Sequence, residues 1–150
     1  MSKESIEVYF RNLSRSGYSI TSPATPEYNC IAWAAGNAEL WWEPDPQFLY
    51  YWPPQIERRY TLEAYKRTYE VLGYKICDNS VLEIGFEKIV LYINEYGRPT
   101  HAARQLISGR WTSKLGSLED IEHNTLEGLS GSHPAYGIVA VILKRPIKNS

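Results

Sequence analysis

The spacing of apolar residues changes along the chain from a helical period to a strand period. Residues 62–72 repeat apolar side chains every three or four positions, which predicts a helix that Thr61 caps and Gly73 ends. The segment 28–38 is rich in small and apolar residues and predicts a shorter helix that stops near Gly36. Two helices are therefore expected in the first half of the chain.

From residue 86 onward, apolar and polar positions alternate with the period of two that is typical of β-strands. The alternation, with turn signals between its first three stretches, predicts four antiparallel strands over residues 86–93, 99–106, 110–115 and 136–144. Residues 117–121 predict a short helical turn followed by a polar loop. Helices followed by an antiparallel meander indicate an α+β fold, with the helices packed on the sheet.

The remaining segments carry weaker signals. Residues 1–25 are polar and turn-rich, which predicts a loosely ordered arm. Residues 41–54 combine four prolines with many aromatic rings and predict an irregular loop. No repeat or long linker interrupts the chain, so residues 1–150 are expected to form a single domain.

Composition narrows the classes of partner. The 150 residues carry 16 Lys and Arg against 17 Asp and Glu, without the basic surplus that nucleic-acid binding needs, so we expect no nucleic-acid partner. No apolar run approaches the roughly 20 residues of a membrane span. The start lacks the apolar core of a signal peptide, so a cytoplasmic location and reduced cysteines are expected. Phosphate-binding glycine loops and metal-ligand spacings are absent from the sequence, so neither a cofactor nor a metal is expected.

Cys30 is the first candidate for chemistry because it falls in the first turn of a predicted helix, where unpaired amides favour a thiolate. A thiolate nucleophile needs an imidazole base. His101 lies in a predicted strand beside small residues, whereas His123 and His133 fall in predicted loops and are expected to be solvated. Cys30 and His101 are thus the candidate catalytic pair, and a buried structural thiol is the alternative.

The predicted turns place His101 on a polar face of the sheet, and we expect the Cys30 helix to cover that face. Three residues on it are candidates to orient the imidazole: Gln105, Thr112 and Lys114. The Asn29 side chain, with the Cys30 amide, is a candidate to hold an oxyanion. Four tryptophans are candidate binding residues: Trp33, Trp41, Trp42 and Trp52.

The segment Tyr28-Asn29-Cys30-Ile31-Ala32-Trp33-Ala34 resembles the nucleophile segment of papain-like cysteine hydrolases, in particular NlpC-type peptidases and CHAP amidases. The hairpin from Lys88 through His101 resembles the NlpC-type hairpin. The resemblance implies a papain-like fold and cysteine-dependent hydrolysis. In the NlpC pattern, however, the catalytic histidine opens the first strand, where this chain has Lys88, and His101 matches the orienting position. Either His101 is the base, or the alignment is slipped, or hydrolysis has been lost.

A second resemblance rests on residues 100–106, THAARQL, and 111–116, WTSKLG. These motifs resemble an uncharacterised family of small bacterial proteins, and this likeness implies no activity.

Two functions are therefore expected from the sequence. The first is a cysteine-dependent hydrolase or acyl transferase that acts on an amide or ester bond of a peptide or protein, with Cys30 as nucleophile and His101 as general base. The alternative is a non-catalytic module on the same scaffold that binds a protein or peptide.

Overall fold

A computed structural model describes residues 3–148 of the chain. Its helices are α1 (Lys3–Tyr9), α2 (Leu13–Ser16), α3 (Cys30–Ala34) and α4 (Leu62–Glu70), with a 3-10 turn at Glu127–Leu129. Its strands are β1 (Tyr18–Ser22), β2 (Lys75–Ile76), β3 (Phe86–Ile93), β4 (Pro99–Gln105), β5 (Trp111–Lys114), β6 (Asp120–His123) and β7 (Ile138–Pro146). These strands form one antiparallel sheet in the order β1-β6-β5-β4-β3-β7-β2, which confirms the α+β class.

Both predicted helices are confirmed, and side-chain caps explain where they begin. The side chain of Asn29 accepts a hydrogen bond from the amide of Ala32 at 3.2 Å and starts α3. Thr61 does the same for α4 through the amide of Ala64. The chain after α4 turns at Gly73, where φ is +99°.

The four predicted strands correspond to β3, β4, β5 and β7, but the prediction for residues 117–121 is wrong. Asp120–His123 forms β6, which pairs with β5 on one side and β1 on the other. Ile121 and His123 alternate inward along β6, and both are fully buried. The charged residues Asp120 and Glu122 have low β-propensity, so the sequence pattern did not indicate a strand here.

The segment predicted to be an N-terminal arm contains α1, α2 and β1 within residues 3–22. Ile6 and Leu13 are fully buried against Leu129 of the 3-10 turn. Residues 1–2 of the predicted arm lie outside the described residues. Burial of these two aliphatic side chains fixes the segment that its polar composition left undefined.

Each face of the sheet packs a separate hydrophobic cluster. The front face, defined by Ile89, Leu91, Ala102 and Leu143, is covered by α3, α4 and the aromatic loop of residues 41–54. The back face, defined by Val90, Tyr92, Ala103, Trp111, Leu115 and Ile121, is covered by α1, α2 and the 3-10 turn. The site chemistry therefore depends on which face each side chain occupies.

None of the helices among residues 3–148 has the length and apolar character that crossing a bilayer requires.

Candidate functional site

Cys30 lies where α3 meets the front face of the sheet. The helix packs on β4 and β5, and the Cys30 side chain is buried in the front-face cluster with Leu91 and Ala102. The Asn29 side chain fixes this geometry, since its oxygen accepts from the amide of Trp42 and its nitrogen donates to the Trp42 carbonyl at 2.7 Å. Asn29 thus ties the start of α3 to the aromatic loop, and its side-chain amide is engaged in that role.

Burial determines the ionisation of the Cys30 thiol. Removal from water raises its pKa from 9.0 to about 11, although the backbone amides of Ala102, Ile31 and Cys30 and the charge of Lys114 all act to lower it. The desolvation of the thiolate outweighs the stabilisation that a five-residue helix provides. Cys30 is consequently a neutral thiol near pH 7, contrary to the thiolate expected from its position in the helix.

His101 lies on the back face, where it does not meet Cys30. Its ring stacks on Tyr136, with centroids 4.2 Å apart and planes 3° from parallel, and it also packs against Tyr92. Its Nε2 is 2.9 Å from the Ser113 hydroxyl, and its Nδ1 has no hydrogen-bond partner within residues 3–148. The expectation that α3 covers the His101 face is therefore wrong, because α3 packs on the side of the strand that presents Ala102, and neighbouring residues point to opposite faces.

The register of β4 and β5 also corrects the expected orienting residues. Gln105 pairs with Trp111, and Arg104 pairs with Thr112, across a five-residue connection closed by a hydrogen bond from the amide of Leu106 to the carbonyl of Arg110. Thr112 consequently shares the front face with Arg104. This pairing differs by one residue from the predicted one, so the side chains of β5 exchange faces.

The three expected orienting side chains have other partners. Thr112 accepts a hydrogen bond from Nε1 of Trp33 at 2.9 Å and so holds α3 on the sheet. Lys114 is fully buried and donates to two backbone carbonyls, those of Thr25 and Gly116.

The third, Gln105, donates from Nε2 to the carbonyl of Ser80 at 3.0 Å. Lys88, at the position where the NlpC pattern has histidine, is also buried and donates to the backbone carbonyl of Asn79 at 2.9 Å. The amino group of Lys88 thereby joins β3 to the loop before it. None of these residues is hydrogen-bonded to His101 in the described part of the chain.

A buried relay joins His101 to His123 through Ser113, and sequence reasoning missed it. Nδ1 of His123 faces the carbonyl of Thr125 at 2.9 Å, and a carbonyl only accepts, so Nδ1 carries the proton. The Ser113 hydroxyl therefore donates to Nε2 of His123 at 2.8 Å, and its oxygen accepts from Nε2 of His101. His101 is thus the Nε2-protonated tautomer, with a bare Nδ1.

Burial keeps both imidazoles neutral. Desolvation lowers the pKa of His123 from 6.5 to about 4 and holds the pKa of His101 well below its ordinary value. The alternation of Ile121 and His123 along β6 was the only sequence signal for this burial, and the acidic residues between them obscured it. His133, by contrast, is exposed, as expected.

A cleft of about 200 Å³ opens beside Cys30. Its lining residues are Asn29, Cys30, Ile31, Trp41, Tyr65, Pro99, Thr100, Gly116 and Tyr136. The aromatic rings make its walls largely apolar, and Cys30 contributes the thiol. Tyr136 separates this cleft from His101, since it lines the cleft and stacks on the imidazole.

The four candidate binding tryptophans have different environments. Trp42 and Trp52 are buried in the front-face core, 7% and 3% exposed. Trp33 is half-buried against Thr112, and Trp41 lines the cleft. Trp41 is therefore the one of the four that lies in the cleft wall.

A family described as a domain of unknown function (DUF7689) matches residues 19–144. The chain belongs to this family. The match supports the likeness to an uncharacterised family and lends no support to a papain-like superfamily. No curated protein and no solved structure gives a significant match to the chain.

The region matched by DUF7689 contains Cys30, His101 and the whole cleft. Within residues 3–148 of this DUF7689 protein, no three His, Cys, Asp or Glu side chains come together as metal ligands would. The arrangement provides an apolar cleft with a neutral thiol on one side of the sheet, and a buried imidazole relay on the other.

Proposed function

We propose that this DUF7689 protein is a non-catalytic binding module that holds an extended peptide or protein segment and takes one of its apolar side chains into the cleft beside Cys30. The observation that supports this proposal is the cleft itself. Its walls include the rings of Trp41, Tyr65 and Tyr136, and the thiol that faces it is neutral near pH 7. Rigid aromatic walls provide much contact area at low entropic cost.

The size of the cleft favours a single side chain. Pockets that enclose whole small molecules usually span about 300–1,000 Å³. The cleft is about 200 Å³, so it is too small to enclose such a molecule and suits an anchoring side chain whose backbone stays outside. An aliphatic or aromatic residue matches its lining.

The aromatic loop extends the cleft at its rim. Tyr50 is partly exposed and its ring lies 6.1 Å from that of Trp41, while Phe48 and Leu49 expose most of their surface. Asp45 accepts hydrogen bonds from the amides of Leu49 and Tyr50, which holds the loop in place. An apolar rim that is ordered before binding reduces the entropic cost of association.

Selection of phage-displayed random peptides on the full chain, followed by affinity measurement, tests this proposal. Trp41→Ala should weaken the selected peptides by at least about tenfold, as loss of an aromatic anchor does. Tyr96→Ala is the matched control, because Tyr96 is 80% exposed in the turn between β3 and β4 and should bind as the wild type does. Equal affinity of the Trp41→Ala variant and the wild type would overturn the proposal.

A second candidate is a papain-like cysteine hydrolase or acyl transferase, and one observation favours it. The amides of Cys30, Ile31 and Ala102 surround the sulfur in the cleft, where they would stabilise a thiolate. The sulfur would attack a carbonyl, the amide or ester bond would break with protonation of the leaving group, and water would release the acyl group. This chemistry requires an imidazole to reach the cleft, which His101 does only if Tyr136 moves.

The reactivity of the thiol separates the two candidates. Rapid alkylation of Cys30 at pH 7 that is slowed at least about tenfold by His101→Ala would support the hydrolase. Slow alkylation that is unaffected by that substitution would support the binding module.

A further inference from the structure

A second cavity lies at the far end of β4 and contains Arg104, which has no counter-ion within residues 3–148. The cavity is about 420 Å³ and is lined by Phe86, Glu87, Arg104, Gln105, Leu106, Ile107, Ser108 and Ile147. Four of these eight side chains are apolar, and the volume falls within the range of small-molecule sites. We propose that this cavity binds a monocarboxylate with an apolar body, and that Arg104 pairs with the carboxylate.

The charge balance of the cavity supports an anionic ligand. The negative charge of Glu87 is balanced by an ion pair with Arg145, whose Nε lies 2.5 Å from the Glu87 carboxylate. Arg104 has neither a hydrogen bond nor an ion pair within residues 3–148, and its Nε is buried. A guanidinium in a partly dehydrated position is stabilised by a charge-assisted hydrogen bond, so a bound anion would supply what the protein does not.

The shape of the guanidinium points to a carboxylate. Its planar donors match the two oxygens of a carboxylate, and a single unpaired cation balances a single negative charge. The Arg104 guanidinium lies 5.9 Å from the ring centre of Trp33, which supports the side chain from α3. Gln105 also lines the cavity, but its Nε2 donates to the carbonyl of Ser80, so Arg104 alone is assigned to the anion.

The apolar lining determines the rest of the ligand. Phe86, Leu106 and Ile147 offer contacts for a hydrocarbon chain, and Ile107 is 84% exposed at the cavity. Burial of hydrocarbon in such a cavity is favourable in proportion to the area removed from water. The ligand is therefore expected to bind through both ends, the carboxylate at Arg104 and the chain along these side chains.

Calorimetric titration of the full chain with three probes tests the two halves of this inference. Octanoate should bind, whereas octanamide, which lacks the charge, and acetate, which lacks the chain, should each bind at least about tenfold more weakly. In nitrogen-15 spectra the Nε–H signal of Arg104 should shift with octanoate. Octanamide that binds as tightly as octanoate would overturn the carboxylate assignment.

Two arginine variants distinguish octanoate binding at Arg104 from binding at another arginine. Arg104→Gln should reduce octanoate affinity at least about tenfold, and Arg59→Gln should not, because Arg59 is exposed beside Glu57 and far from the lining residues in the sequence. If Arg104→Gln fails to fold, Ile107→Asp provides the test, since it places a negative charge on an exposed residue of the lining and should weaken octanoate.

Unchanged octanoate binding in the folded Arg104→Gln variant, or in Ile107→Asp, would overturn the proposal. Binding of peptides selected on the cleft should be unaffected by either variant. The two sites therefore succeed or fail independently.

Discussion

The reactivity of Cys30 is the sharpest test of whether this protein does chemistry. The thiol has its pKa raised from 9.0 to about 11, so between pH 7 and 8 its thiolate fraction is about a hundredfold below that of an unperturbed thiol. Because only the thiolate reacts with iodoacetamide, the labelling rate of Cys30 should be at least about a hundredfold lower than that of a free thiol. The small exposed fraction of Cys30, 8%, slows it further.

The assay uses two single-thiol variants, Cys30→Ser and Cys77→Ser, each labelled in the native state between pH 7 and 10. Cys77 is partly exposed and provides the internal reference. In Cys77→Ser the labelling rate of Cys30 should rise about tenfold per pH unit across the whole range, since its pKa lies above it. A plateau below pH 8, or labelling of Cys30 faster than of Cys77, would refute the argument from burial and favour a catalytic thiol.

The raised pKa of Cys30 also predicts an alkaline loss of stability. The unfolded chain ionises this thiol near pH 9.0, whereas the folded chain does so only near pH 11. The stability is present below the first value and is lost as pH rises toward the second, by roughly 2–3 kcal/mol. Urea denaturation at pH 8 and 10 should show a smaller loss for Cys30→Ala than for wild type, and equal losses would contradict the prediction.

Three further predictions concern the relay and one turn. Ser113→Ala leaves the Nε2 atoms of His101 and His123 without their partner in the core, and should lower the free energy of unfolding by about 2–4 kcal/mol in urea titrations; a loss below about 0.5 kcal/mol would contradict the relay. Burial lowers the pKa of His123 from 6.5 to about 4, so as pH falls the unfolded chain takes up a proton on this residue before the folded chain does. The free energy of unfolding should therefore decline from pH 6.5 toward pH 4 by about 1.4 kcal/mol per pH unit or more. The exposed His133 gives the control, since His133→Gln should keep this slope, and its disappearance would show that the wrong histidine was assigned. Gly137 has φ +88°, and a Cβ at this position would overlap the backbone of Ile93. Gly137→Ala should therefore lower the melting temperature in calorimetry by an amount equivalent to at least about 2 kcal/mol. An unchanged melting temperature would be inconsistent with this turn.

The sequence was sufficient to predict those helices and strands whose bounds depend on residues within or next to the element. The cap at Thr61 and the stop at Gly73 act within one or two turns of α4, and the helical spacing between them is a property of the segment itself. The same holds for β3, whose predicted and observed bounds agree. The position of Cys30 at the start of α3 was also predictable, because Asn29 caps the helix through a neighbouring amide.

The sequence could not assign partners across the sheet. Alternation divides β4 into two sets of side chains, but it does not state which set α3 will cover. A hairpin register that differs by one residue places Ser113 beside His101 in the position expected for Thr112. Pairing with β1 then buries His123, which a predicted loop would have left in water.

Tertiary packing therefore decided the chemistry of the candidate site. A helix start favours a thiolate only while the sulfur remains hydrated, and the front-face core removes Cys30 from water. In the same way, an imidazole acts as a base near pH 7 only where it meets the group that gives up a proton, and the back face holds His101 against Tyr136 and Ser113. Residue type and spacing specified which groups this protein has, and the packing of the two faces of its sheet determined which of them meet, because burial and register depend on contacts between segments distant in the chain.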